Sequence, residues 1–481
     1  MKFHNLFLVV ILLTFSCSEK PAEIQDQPDV TAIENGLIPG IVIKGSELPA
    51  WTISERMAHY RVPGVSIAFF ENNEIQWTRT YGFLDSGRTQ AVDENTRFQA
   101  ASISKPVAAS GMMKLIESGD LDLDADVNTY LTGWKLPENP YDPNEHVTLR
   151  RLVTHNAGLT VHGFRGYASD EPVPGTMEIL LGETPANSDA ILPDTIPGAI
   201  WRYSGGGYTL MQYVIETNFN SSFSAFMKEN VLDPAGMERS IYQQPLPEDM
   251  HQNTSVGHRP DGQPVTGKWH TYPEMAAAGL WTTPSDLGRW AMAVQRAYNG
   301  SETEFIQPET AKMILTKHIN DWGLGPGLGG EGDSLYFRHG GANEGYRCML
   351  FSFAGPGGQG MAIMTNGDLG GPLMNEIARS VDAAYGWNVY LPDVRTVIDM
   401  STADLNSYAG TYVAEERGIE VEILMEGELL KGKVGTNVFT LYPEDTDRFF
   451  DDQDGQSIFF ERNDENIITG FSVDGLQFVR L

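Results

Sequence analysis

The feature that most constrains this chain is a single change of texture near residue 400. Before it, stretches with apolar residues at helical spacing alternate with short apolar runs bounded by Gly, Asn and Pro. From Ser401 onward only short alternating runs remain, at 420–424, 439–442, 457–461, 467–473 and 476–481. Period-two alternation puts successive side chains on opposite faces, so such a segment can bury one face only by pairing with strands like itself. The tail at 401–481 therefore reads as a separate small all-β unit, a sandwich or a barrel. The mixed part, at 46–390, calls for an α/β (α+β) body, an antiparallel sheet with helices packed on it beside a helical subdomain.

Within that body, 64–70 and 74–81 flank Asn72-Asn73 and read as a β-hairpin. From Ser102, apolar Ile103, Val107, Met112, Leu115 and Ile116 mark one face of a buried helix that stops at Gly119. Thr283-Pro284-Ser285-Asp286 combines a capping hydroxyl, a first-turn proline and an acid three residues on, the signature of a helix start. Tyr336-Phe337, 348–353 and 361–364, separated by Gly-rich turns, read as adjacent antiparallel strands, followed by a helix over 372–385. Residues 158–198, rich in Pro, Gly and acids, read as long loops over a site. No internal repeat is visible.

Charge and cysteine content exclude several functions. With 33 basic and 64 acidic residues the net charge is -31, a field that repels nucleic acid. The two cysteines, Cys17 and Cys348, can build neither a disulfide framework nor a cysteine metal cluster, and the ten histidines show no ligand spacing. No metal or other cofactor is expected. Lys2 followed by the apolar run 6–13 has the order of a secretory signal over 1–17 and is too short to span a bilayer stably. Cys17, directly after it, resembles the lipidated cysteine of bacterial lipoproteins. That resemblance implies export to the cell envelope, membrane contact only through a lipid anchor, and a tether over 18–45.

Two glycine-rich stretches carry little. Gly262–Trp269 nearly spells a phosphate-binding loop, but Trp269 stands where a magnesium-binding hydroxyl is needed. Gly325–Gly330 fits a dinucleotide pattern formally, yet a strand-like run follows where a helix should begin.

Ser102-Ile103-Ser104-Lys105 is more informative. Residues three apart at a helix start share a face, so the ammonium reaches the hydroxyl; a desolvated lysine loses its proton and becomes a base. The serine N–H at the helix start is an oxyanion donor. Tyr203-Ser204-Gly205 and His339-Gly340-Gly341 follow in chain order. With Leu152-Val153-Thr154-His155-Asn156-Ala157-Gly158-Leu159, the run from Ala278 to Leu287, and Met364-Thr365-Asn366, the sequence resembles the serine β-lactamase and penicillin-recognising enzyme superfamily. It looks most like the branch of class C β-lactamases, D-aminopeptidases and carboxylesterases. The tail resembles the small lipocalin-like barrel appended to some members.

The resemblance implies Ser102 as nucleophile, Lys105 as its base, and Tyr203 as the group relaying a proton to the leaving group. It implies an oxyanion hole from the N–H groups of Ser102 and Ala342, with Gly340 and Gly341 letting the strand approach the substrate. His155 reads as a structural residue after a helix, outside this set. Two departures stand out. His339 replaces the family's usual lysine, removing a fixed charge that would hold a substrate carboxylate, and Gly205 replaces an asparagine that would bond a substrate amide. Arg338 or Arg347, on the same strand edge, could supply the missing charge. The expected activity is serine hydrolysis through an acyl-enzyme on short esters or D-amino-acid esters and amides. The alternatives are a β-lactamase or D-Ala-D-Ala carboxypeptidase, and, in another class, a catalytically silent sensor.

Overall fold

The computed structural model describes residues 29–219, 221–301, 303–435 and 437–481. The signal segment and Cys17 lie outside the described residues. Among those described, no helix is long and apolar enough to cross a membrane.

The body is built on a six-stranded antiparallel sheet. In chain order its strands are β1 (Gly64–Glu71), β2 (Glu74–Gly82), β3 (Gly327–Gly329), β4 (Tyr336–Asn343), β5 (Tyr346–Phe353) and β6 (Gly360–Thr365). They lie side by side as β2-β1-β6-β5-β4-β3. The hairpin turn falls at Asn72 and Asn73, whose φ values of 53° and 63° suit the left-handed tolerance of asparagine. Strand β1 is buried on both faces, which explains why 64–70 reads as nearly continuous apolar sequence.

One face of the sheet packs on the largest core, which holds helices α1 (Ser104–Glu117), α2 (Gly205–Asn218) and α3 (Pro284–Tyr298). Thr283 caps α3 as its sequence requires, its hydroxyl accepting the Asp286 N–H at 3.2 Å. The other face packs on α4 (Gly370–Tyr385) through Val65, Ile67, Leu373, Ile377 and Val381. Residues 158–198 are mostly irregular but include a helix at Thr176–Leu181, whose Ile179 and Leu180 are fully buried in the main core.

The tether reading of 18–45 fails from Asp29 onward. Val30–Glu34 is a helix capped by the Asp29 carboxylate, and Ile41–Ile43 pairs in parallel with Asp393–Arg395. Ile33 and Leu37, four residues apart, are buried in the core that holds α4, and the Ile38 N–H donates to the Ser380 hydroxyl at 3.0 Å. The surrounding acids and prolines mask these two anchors in a composition-based reading.

In the tail, strands β7 (Gly410–Ala414), β8 (Ile419–Glu426), β9 (Leu429–Val434), β10 (Asn437–Asp445), β11 (Arg448–Asp451), β12 (Ser457–Arg462), β13 (Ile468–Val473) and β14 (Leu476–Arg480) form a closed barrel. Closure comes from Tyr412↔Arg480 and Val413↔Val479, which join the first strand to the last. The barrel has its own core, including Tyr412, Ile423, Leu441, Phe460 and Phe471. Strands β7, β9 and β11 escape the sequence pattern because their apolar stretches are short.

Candidate active site

Helix α1 does not begin at Ser102. A 3-10 turn, Ala101–Ile103, precedes it, and Ala101 takes φ of 48°, a left-handed value costly for a residue with a Cβ. The turn is held by its surroundings: Leu280 N–H donates to Ser104 Oγ at 3.0 Å, and Tyr242 OH donates to the Ser104 carbonyl at 2.6 Å. One turn on, Lys105 is buried, with Nζ 3.1 Å from Ser102 Oγ and donating to the Ala277 carbonyl at 2.8 Å. No carboxylate forms an ion pair with it among the described residues. Burial without a counter-charge penalises the ammonium and lowers the lysine pKa to about 7. A lysine in that state is half neutral near neutral pH, with a lone pair beside a hydroxyl.

Tyr203 closes this pocket from the loop before α2. Its ring lies 4.9 Å from Lys105 Nζ. Burial drives the phenol pKa well above its ordinary value, against an opposing hydrogen bond with Ser102, so the phenol keeps its proton. Ser204 then caps α2, its Oγ accepting the Gly207 N–H at 3.1 Å. His155, outside the sequence-derived catalytic set, holds this loop. Its Nδ1 accepts the Ser204 N–H at 3.1 Å and its ring lies over Tyr203 with centroids 4.1 Å apart. Gly205 has a local reason: a Cβ there would lie 3.0 Å from Phe164 Cε2 and 3.2 Å from the His162 carbonyl. The 162–164 loop occupies the space an asparagine side chain would need.

Strand β4 forms the opposite wall. Strand β3 covers it only as far as Arg338, so from His339 onward its outer edge has no strand neighbour and its backbone groups stay open to a ligand. Gly341 is required by close packing: a Cβ would fall 2.3 Å from the Ala100 carbonyl oxygen and 2.4 Å from Cys348 Sγ. The approach it permits is thus to the nucleophile turn itself. A Cβ on Gly340 would meet only the Cys348 carbonyl, at 3.9 Å. The His339 side chain is buried, with Nδ1 2.6 Å from the Gly340 carbonyl; burial, and then the Lys105 charge, lower its pKa to about 3. It is a neutral imidazole at any working pH.

Ser102, Tyr203, His339, Gly340, Gly341 and Ala342 all line one cleft of about 1110 Å³. Trp201 and Trp322 add an aromatic wall that sequence reasoning missed. Trp322 lies 5.4 Å from Trp201 and 5.7 Å from His339, centroid to centroid. Nothing around Trp322 in the chain signals this. The two arginines separate cleanly. Arg347 is engaged, pairing with Asp368 at 2.8 Å and donating to the Asn343 and Tyr346 carbonyls. Arg338 lines the cleft, is exposed, and forms no ion pair with any described residue.

The sequence profile of the family described as Beta-lactamase matches residues 51–385, well over half of the chain. The chain belongs to the Beta-lactamase family. Penicillin-binding protein 4 of Amycolatopsis lactamdurans is 24% identical over 381 residues, covering 74% of this chain and 94% of that protein. Protein flp of Staphylococcus aureus is 25% identical over 241 residues, covering 48% of this chain. The match spans 45% of that relative's length, less than half. In fold, the chain is similar to the octameric penicillin-binding protein homologue from Pyrococcus abyssi, with a TM-score of 0.63, 20% identity, and coverage of 89% of this chain and 98% of that one.

Proposed function

We propose that this protein hydrolyses acyl substrates through an acyl-enzyme at Ser102, with short esters or D-amino-acid esters and amides as its substrates. The observation that carries the reading is Lys105: buried, without a counter-charge, its pKa lowered to about 7, and 3.1 Å from Ser102 Oγ. Neutral Lys105 takes the Ser102 proton as Oγ attacks the acyl carbonyl carbon. The oxyanion that forms faces the N–H groups of Ser102 and Ala342. Tyr203, kept protonated by burial, passes its proton to the leaving oxygen or nitrogen and regains one from the Lys105 ammonium. Water then repeats the sequence in reverse and frees the acid.

Neutral His339 and the crowded Gly205 supply neither a fixed charge nor a side-chain amide, which favours esters over carboxylate-bearing peptides. A specific observation favours a second reading. Arg338, a cleft-lining cation that lies over the Tyr336 ring and has no ion-pair partner among the described residues, together with two relatives named for penicillin binding, makes β-lactam or D-Ala-D-Ala turnover the alternative. One panel decides: kcat/KM for a p-nitrophenyl ester, a chromogenic cephalosporin and a D-Ala-D-Ala peptide in one buffer. A cephalosporin value above the ester's overturns the ester preference. Intact-mass labelling with a fluorophosphonate tests the chemistry itself, and absence of an adduct at Ser102 supports a silent sensor instead.

A further inference from the structure

The C-terminal barrel is built differently at its two ends. At one end Tyr408, Tyr412, Phe449 and Phe460 pack ring against ring, with Tyr408 and Phe460 centroids 4.8 Å apart. That plug is latched by Tyr408 OH donating to Asp447 at 2.8 Å, while Arg462 pairs with the same carboxylate at 2.8 Å. The opposite end, where Ile419, Val434, Asn437, Asp451, Val473 and Leu476 begin or finish their strands, has no such plug among the described residues. Inward-facing side chains leave a cavity there of about 310 Å³. At about 30 Å³ each this is room for roughly ten waters, but the inner walls Val421, Ile423, Leu441, Ile458, Phe471 and Phe478 are apolar, and polar partners come only from the mouth, where Asn437, Gln453, Gln456 and two acids lie. Eight-stranded barrels either fill their interior with side chains or hold one small ligand, and this one is filled at one end only.

The rim states what kind of head group fits. Asp451 and Asp454 line the cavity, and no described basic side chain pairs with either. Asp451 is 7% exposed; its Oδ1 accepts the N–H groups of Gln453 at 2.8 Å and Asp454 at 3.0 Å. Burial, with the Asp454 carboxyl beside it, raises its pKa, as expected of an acid lacking a cation. Asp474 adds a third acid at the same end, accepting from Gln456 Nε2 at 2.8 Å. Of the nearby cations, Arg395 pairs with Asp393 and Glu444 and Lys433 lies 3.8 Å from Glu422, while exposed Arg417, in the turn before Ile419, forms no ion pair with a described residue and does not line the cavity.

We propose that the open end of the barrel binds a primary alkylammonium amphiphile, with an aliphatic chain of roughly six to ten carbons in the cavity and its ammonium held by Asp451 and Asp454. An alkanoate of the same length would set its carboxylate against these acids. This site is independent of Ser102 and does not rest on the hydrolase reading.

The test is calorimetric titration of the full chain at pH 7 with n-alkylammonium chlorides from four to twelve carbons, below their micellar concentrations. Each methylene should tighten binding about 3- to 4-fold until the cavity is full, and affinity should then level off. Matching alkanoates should bind at least tenfold more weakly. Leu476→Trp, at the partly exposed mouth, should cut ammonium affinity tenfold or more by plugging the entrance. Asp451→Asn keeps the Oδ1 acceptor for its turn and should weaken the ammonium while leaving the matching alcohol unchanged. Equal binding of ammonium and alkanoate, a series without a plateau, or unchanged ammonium affinity in Asp451→Asn overturns the proposal. If Leu476→Trp does not fold, the plateau and the Asp451→Asn comparison decide alone.

Discussion

The pH dependence of turnover follows directly from the burial of Lys105. In water its ammonium would be only about one part in 3,000 neutral at pH 7, taking the ordinary value of 10.5; at a pKa of about 7 it is half neutral. Burial thus raises the concentration of the active base by about a thousandfold. Because the neutral form is the base, kcat/KM for a p-nitrophenyl ester, read at a pH-independent wavelength, should climb about tenfold per pH unit below pH 6. It should reach half its maximum near pH 7 and flatten above pH 8. His155 and His339 cannot mimic this limb, since burial lowers both, His339 to about 3. Replacing Lys105 by alanine should cost two or more orders of magnitude and abolish the limb, whereas His162→Ala, elsewhere in the cleft, should keep its midpoint. A flat profile from pH 5 to 9, a midpoint above pH 9, or a normal limb in Lys105→Ala would refute lysine as the base.

Four further outcomes are expected. Gly341→Ala forces a methyl against the Ala100 carbonyl and Cys348; it should destabilise the fold by about 1–3 kcal/mol in thermal melts and cut kcat at least tenfold, and wild-type values for both would show that the strand yields. Arg338→Ala should raise KM for carboxylate-bearing substrates roughly tenfold and spare neutral esters. Arg347→Ala should instead cost about 1–3 kcal/mol of stability by removing the cation paired with half-buried Asp368, and the reverse pattern would exchange the two roles. Removal of 401–481 should leave a folded, ester-hydrolysing body, since the barrel buries its own core; insoluble or inactive protein would show that the barrel completes the body.

Local signals in the chain were enough for features whose physics is local. Thr283 to Asp286 spell their own cap, Asn72-Asn73 their own turn, and the three-residue spacing of Ser102 and Lys105 their shared face. The period-two pattern of the tail required strands to pair with strands. Its short β7, β9 and β11 were invisible, and the choice of barrel over sandwich rested on the pairing of Val413 with Val479, which no local pattern encodes. The same limit applies at the site. A lysine three residues from a serine is ordinary until tertiary packing buries it without a carboxylate, sets Tyr203 over it and draws β4 against Ala100. Trp322, His155 and the separation of Arg338 from Arg347 were decided in the same way. Hydrogen-bond spacing and side-chain period act over a few residues and can be read in sequence, whereas desolvation and charge pairing depend on which distant segments exclude water, and that exists only once the chain has closed on itself.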